Sequence, residues 1–229
     1  MTLKRQPASD RFVKEPKLSR THPPVDLAPA DWQRALRRQF GREQSFVLEN
    51  RGDQPFFSEF RVSNPQSKAS YRVAIRGLKA GDNYCSRPDY ASNELGTCKH
   101  IEFVLARLEK KRGAKAAFTR GWRPAFSEIY LRNDGVRAVY FRAGSDCPPA
   151  VLKAASRLFD GSRGGALPEE RFGELERLLA AAAKSGHELR AYDDALDFIA
   201  GRRDAARRAD VLDSLFPRGA SDRKLAQLL

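Results

Sequence analysis

Cys85, Cys98 and His100 gather two of the chain's three cysteines and one of its three histidines into one short stretch. Thiolate sulfur and imidazole nitrogen are the donors a structural zinc site uses, normally four to an ion. Cys98 and His100 stand two apart, where an apolar helical pattern begins. Ligands at i and i+2 can both reach one ion while the chain is still turning into helix. The positive end of that helix favours a thiolate at Cys98. Cys85 lies upstream, at the end of a β-type region. The loop Pro88–Gly96, with Asn93 and Gly96 as turn residues, bridges the two cysteines.

A second constellation follows directly. Arg107, Lys110, Lys111, Arg112, Lys115, Arg120 and Arg123 interleave with Phe118 and Trp122. Cations spaced among aromatics suit phosphate contact combined with base stacking. The same residues also fit a solvated helix face with Trp122 in the core. The formal net charge of +13 favours a polyanionic partner, most simply DNA or RNA.

Other reactive residue types carry less. Cys147, in Ser145-Asp146-Cys147-Pro148-Pro149, reads as a small buried apolar group rather than a reactive thiol or a distant fourth ligand. His187 follows Gly186 at a helix end, and His22 lies in the N-terminal tail. Arg202, Arg203, Arg207 and Arg208, with Asp204 and Asp210, read as a charged helix face. Asp193 and Asp194 belong to a helix N-terminal turn. No G-x-x-x-x-G-K-[ST] loop is written, and no serine, cysteine or carboxylate has a partner by spacing. The chain is therefore expected to be non-catalytic. An odd cysteine count, no signal-peptide pattern near Met1 and no apolar stretch of membrane length point to the cytoplasm and away from a membrane.

These residues need elements to hold them. Residues 1–29 read as a basic, proline-punctuated, disordered tail. Asp31 can cap a short helix over Trp32, Leu36 and Phe40, with Arg34, Arg37 and Arg38 on its wet side. Ser45–Glu49 can form a strand. Phe56–Val62 and Tyr71–Arg76 alternate as a hairpin around Asn64-Pro65-Gln66-Ser67, with Tyr71, Val73 and Ile75 on one face. Ile101, Val104, Leu105 and Leu108 then form one helical stripe, ending in Lys110-Lys111-Arg112-Gly113. A second hairpin is expected at Ser127–Leu131 and Val136–Phe141 through Asn133-Asp134-Gly135. Helices follow at about 149–160, 168–185 and 191–208, then 209–216 and 221–228. Pro168 starts the second of them, and Leu175, Leu178, Leu179 and Ala182 form its stripe. Gly161 through Gly165 is a flexible break. The fold class is α+β: a zinc-finger-like module of β-hairpin and helix over 30–125, then a hairpin and a helical extension over 126–229.

Larger strings share a family likeness. They are Asn83-Tyr84-Cys85-Ser86, Pro88-Asp89-Tyr90 and Leu95-Gly96-Thr97-Cys98-Lys99-His100-Ile101-Glu102. With them go Phe60-Arg61-Val62, Asn64-Pro65-Gln66, Tyr71-Arg72-Val73, Tyr192-Asp193-Asp194-Ala195-Leu196 and Phe216-Pro217-Arg218-Gly219. Together, over roughly residues 31–220, they resemble the SWIM-type zinc finger, C-x-C then C-x-H, in the form found ahead of the motor of bacterial Swi/Snf-type DNA helicases. The resemblance implies a zinc ion on Cys85, Cys98 and His100, and an accessory role in binding DNA or a helicase partner. It also admits an N-terminal fragment of such an ATPase, or a protein-interaction scaffold. One position departs. Where the pattern has its second cysteine, this chain has Arg87, which cannot ligate. Either a three-ligand site persists, with water or Asp89 in fourth place, or zinc is lost and packing holds the fold. In the latter case Arg87 pairs with Asp89 or faces a phosphate.

Overall fold

The apolar run after Cys98 folds into the central helix of the first half, α3 (Lys99–Leu108), and nearly every side of it is buried. Ile101, Val104, Leu105 and Leu108 form the expected stripe. Phe103 and Ala106 are buried as well, because a second layer covers the opposite face. That layer is α1 (Pro29–Glu43), which crosses α3 at Gly41. A Cβ on Gly41 would lie 2.6 Å from the Phe103 backbone nitrogen, so only glycine allows this approach. The computed structural model describes residues 17–79, 81–133, 135–159 and 165–215, the last four as backbone only.

Below α3 lies a four-stranded antiparallel sheet in the order β1-β2-β3-β4: Val47–Asn50, Glu59–Ser63, Ser70–Ala74 and Tyr84–Cys85. The β2–β3 hairpin pairs Phe60 with Val73 and Val62 with Tyr71. Its turn is closed by the Gln66 N–H donating to Asn64 Oδ1 at 3.0 Å, the Asx turn expected of that residue. Phe60, Val62, Val73 and Ile75 meet Ile101, Phe103, Leu105 and Leu108 in one core, which also contains Cys85 and Cys98. A short helix, α2 (Pro88–Ser92), lies in the loop between the cysteines.

The second half has its own core. Strands β5 (Ser127–Asn133) and β6 (Arg137–Arg142) form the expected hairpin, and β7 (Leu189–Ala191) adds to β5 in parallel. Ile129, Leu131, Val139 and Phe141 pack against α5 (Pro149–Leu158), α6 (Leu175–Lys184) and the first turns of α7 (Asp193–Leu215). Glu128, fully buried, is held by Arg142 and by the Tyr192 hydroxyl at 2.8 Å.

Two junctions tie the halves together. At the first, the Gly81 N–H donates to Gly96 O at 2.8 Å, and the Asn133 N–H to Gly81 O at 3.0 Å. Gly96 has φ +69°, and a Cβ there would sit 2.2 Å from Asn133 O. At the second, the polar face of β3 meets the start of α7. Arg72 Nη1 donates to Asp193 Oδ2 at 2.8 Å, and the buried Arg76 reaches the buried Asp194 at 3.5 Å. The Arg76 guanidinium lies between the rings of Tyr130 and Tyr192, at 5.1 and 4.8 Å.

Several expectations are corrected. Asp31 does not cap α1. Ala28 holds the cap position, Pro29 starts the helix, and Asp31 sits in the first turn bonded to Arg34. Arg34 and Arg37 are not free on a wet face, since Arg34 donates to Leu95 O at 2.9 Å and Arg37 approaches Asp89. Residues 17–28, read as tail, contact α1 through Leu18, Ser19 and Arg20. The segment after Gly113, for which no element was expected before the second hairpin, contains a helix, α4 (Ala114–Arg120). The 168–185 helix begins as a 3₁₀ turn over Glu169–Glu174, and Leu179 faces outward. Residues 193–215 form one helix, not two, and β7 precedes it. The 221–228 helix, the Phe216-Pro217-Arg218-Gly219 string and most of the Gly161–Gly165 break lie outside the described residues. Among the described residues no helix is long and apolar enough to cross a membrane.

Candidate metal centre and basic surface

Cys85 reaches the site because β4 pairs with β3 at Val73↔Cys85, which fixes it against the inner face of the sheet. The turn before it is set by Asn83, whose Oδ1 accepts the N–H groups of Arg76 (2.8 Å) and Gly77 (3.2 Å). The buried Tyr90 hydroxyl donates to Asn83 O. Cys98 stands in extended conformation at the N-cap of α3, and His100 is in the first turn. The Gly96 junction fixes the approach to that helix.

The three donor atoms of Cys85, Cys98 and His100 lie within 4.8 Å of one another, and all three residues are buried. His100 Nδ1 is 3.8 Å from Cys85 Sγ. The His100 ring is flanked by Tyr71 at 4.7 Å and Phe46 at 5.2 Å, which fix its plane. Each sulfur meets a backbone N–H, that of Arg87 for Cys85 and that of Ile101 for Cys98. The Ile101 N–H is one of the donors a helix start leaves free.

The two thiols titrate as a pair. Burial alone would raise Cys98, but hydrogen bonds from Cys85, His100 and the Ile101 N–H outweigh it and lower the thiol to about 6. The shared hydrogen bond with Cys98 pushes Cys85 far above the ordinary thiol range. Burial adds to this, while the Arg87 N–H and charge oppose it. One sulfur is thus primed as a thiolate with the other as its donor, and this donor set fits a metal ion.

Asp89 does not join the cluster. Its carboxylate is 43% exposed and faces Arg37 at 4.0 Å. Arg87 therefore does not pair with Asp89; its guanidinium lies over the Tyr71 ring at 6.0 Å. Among the described residues no fourth Cys, His, Asp or Glu belongs to the group. Cys147 packs against the second core, and His187 Nε2 bonds to Ser127 Oγ at 2.8 Å just beyond α6.

Arg107, Lys110, Lys111, Arg112, Lys115, Arg120 and Arg123 are all exposed, along the end of α3 and around α4. Lys111, Lys115 and Arg120 line one open depression there. The aromatics among them are committed inward. Phe118 is buried, and Trp122 stacks on Phe57 at 6.0 Å and 7° while meeting Phe126 edge-on. One face of Trp122 is thus already covered. Sequence reasoning gave Asn83, Tyr90 and Tyr71 no role at the site. Their signal was present, because Asn83 and Tyr90 flank the first cysteine and Tyr71 alternates with Val73 on the inner face.

Compared with known protein families, curated proteins and solved structures, the chain shows no match.

Proposed function

We propose that the chain is a non-catalytic, SWIM-like zinc-finger module that holds a basic surface against nucleic acid, with DNA as its principal target. The observation that carries this reading is the buried Cys85–Cys98–His100 cluster at the start of α3, the helix whose far end begins the exposed basic run. Bound there, zinc would supply charge neutralisation for the thiolates and a cross-link between β4 and α3. The chain's own residues do the rest. Asn83 and Tyr90 shape the turn that presents Cys85, and Phe46 and Tyr71 hold the His100 ring. The exposed lysines and arginines capture phosphates without reading base edges. In the related reading, suggested by the Swi/Snf likeness, the same module serves a helicase motor chain. The end of α7 supports that reading, since every residue from Gly201 to Val211 is exposed.

The test is metal content of the purified protein together with DNA binding by fluorescence anisotropy across a salt series. One equivalent of zinc and a steep loss of affinity with salt are expected. Protein free of zinc even after zinc is supplied, or binding indifferent to salt, would overturn the proposal.

A further inference from the structure

Cys85 and Cys98 come from different elements, so their separation depends on the segments that lead into and out of them. Cys85 sits on the short strand β4, and Cys98 stands at the N-cap of α3. Thiolates about 2.3 Å from a tetrahedral ion stand about 3.8 Å apart. The three donors already lie within 4.8 Å of one another. Affinity at such a preformed site depends on what holds its shape before an ion arrives.

One residue of the second half touches the chain on both sides of Cys85 and just ahead of Cys98. Asn133 ends β5 and is 1% exposed. Its backbone N–H donates to Gly81 O at 3.0 Å, upstream of Cys85. Its side-chain Nδ2 donates to Tyr90 O at 3.2 Å, downstream of Cys85. Its carbonyl oxygen packs against Gly96, so closely that a Cβ there would sit 2.2 Å away. Tyr90 passes the constraint on, since its hydroxyl donates to Asn83 O and Asn83 shapes the turn into β4. From the same hairpin, Arg137 approaches Ala91 O at 3.5 Å.

The Asn133 side chain makes no hydrogen bond inside its own half. The bond to Tyr90 O is the one it makes among the described residues, and its buried Oδ1 has no partner there. A buried amide with an unsatisfied oxygen works against folding. An apolar residue could fill the end of β5 without that cost, but it could not donate to Tyr90 O. What sets asparagine apart at this position is its grip on the loop between the two cysteines.

We infer, on the metal reading just given, that Asn133 is a positioning residue of the Cys85–Cys98–His100 centre, supplied by the second half of the chain. By gripping Gly81, Tyr90 and Gly96, it holds the two cysteines near ligand spacing before metal binds. Metal affinity then depends on the docked second half, and a bound ion tightens that docking by the same factor.

The test measures zinc affinity of the full chain by competition with a chromogenic chelator, with cobalt(II) spectra reporting ligand geometry. Asn133→Ala should bind zinc about tenfold more weakly than wild type and shift the cobalt bands. Leu178→Ala, a cavity in the second core, is the control. It should lower stability yet leave zinc affinity and the cobalt bands unchanged. Wild type alone gives a further readout, because the Asn133 side-chain NH₂ resonance should move when zinc is added. Equal affinity in wild type and folded Asn133→Ala overturns the inference. So does a loss in Leu178→Ala as large as in Asn133→Ala, since the effect then tracks stability alone. An Asn133 resonance that ignores saturating zinc also overturns it, and decides the matter if Asn133→Ala does not fold. Wild type that binds neither zinc nor cobalt overturns the metal reading, and this inference with it.

Discussion

Replacing Asp194 with alanine tests the idea that the buried ion pair makes the two halves one cooperative body. Arg76 and Asp194 are 7% and 4% exposed, and their nearest charged atoms are 3.5 Å apart. Removing the carboxylate leaves a guanidinium stranded in the interface, and breaking one side of a buried pair costs about 3–5 kcal/mol. The lower end applies here. The rings of Tyr130 and Tyr192 still flank the cation, and cation–π contacts retain roughly 0.5–2 kcal/mol each. A loss of about 3 kcal/mol is therefore expected, which for a chain of this length lowers the melting temperature by roughly 6–12 °C. The assay is urea unfolding at fixed metal saturation, read as a change in midpoint at constant slope. The Arg76→Met/Asp194→Leu double variant removes both charges and should recover at least about 2 kcal/mol relative to the sum of the single losses. A single-variant loss under about 1 kcal/mol, or strictly additive effects in the double variant, would refute the reasoning.

Other predictions follow from single features. Gly96→Ala should cost at least about 3 kcal/mol, because φ +69° is combined with a Cβ position 2.2 Å from Asn133 O. Gly113→Ala, at φ +84° with nothing within 4 Å, should cost only about 1 kcal/mol; equal losses in chemical denaturation would contradict the steric account. In metal-free protein, Cys98 near 6 sheds its proton earlier in the folded state than in the unfolded one, where thiols titrate at about 8.5. The unfolded state then binds more protons in that window, so stability should rise with pH from about 6 to about 8.5. Above that range the raised Cys85 keeps a proton the unfolded chain has lost, and stability should fall again. Melting temperatures that are flat with pH, or that fall across the lower window, would exclude a depressed Cys98. Finally, Lys110→Ala/Lys111→Ala/Arg112→Ala should weaken DNA binding and reduce the log–log salt slope by about 2–3, measured by anisotropy. An unchanged slope would remove these residues from the interface.

What the sequence revealed depended on whether a signal was local. The stripe of α3 and the two hairpins were legible because burial on one face writes a period into the chain. The Cys85–Cys98–His100 cluster was legible because thiols and imidazole are rare and fell close together. α4 was not, since its seven residues begin after a left-handed Gly113 and are too few to show a period. β7 has three residues and exists because β5 offers it an edge, with the Ser127 N–H donating to Glu188 O and the Tyr192 N–H to Ile129 O. No alternation can be read in so short a strand. The polar face of β3 looked ordinary, because the partners of Arg72 and Arg76 lie far along the chain at Asp193 and Asp194. Asp31 was misread as a cap because Pro29, two residues earlier, is itself a good helix start.

The long helix α7 also has a mechanical meaning. At about 1.5 Å per residue, the 23 residues of α7 extend roughly 34 Å, and beyond Gly201 none of its described side chains is buried. Its first turn is clamped through Asp193 to Arg72 of β3 and through Asp194 to Arg76 just beyond that strand, and β3 is the strand beside β4, which carries Cys85. α7 is therefore a lever with its pivot one strand from Cys85, a candidate metal donor. A tilt of about 5° at the pivot swings the far end by about 3 Å. In the reverse direction, a pull on the tip is delivered as torque to the sheet edge that holds Cys85.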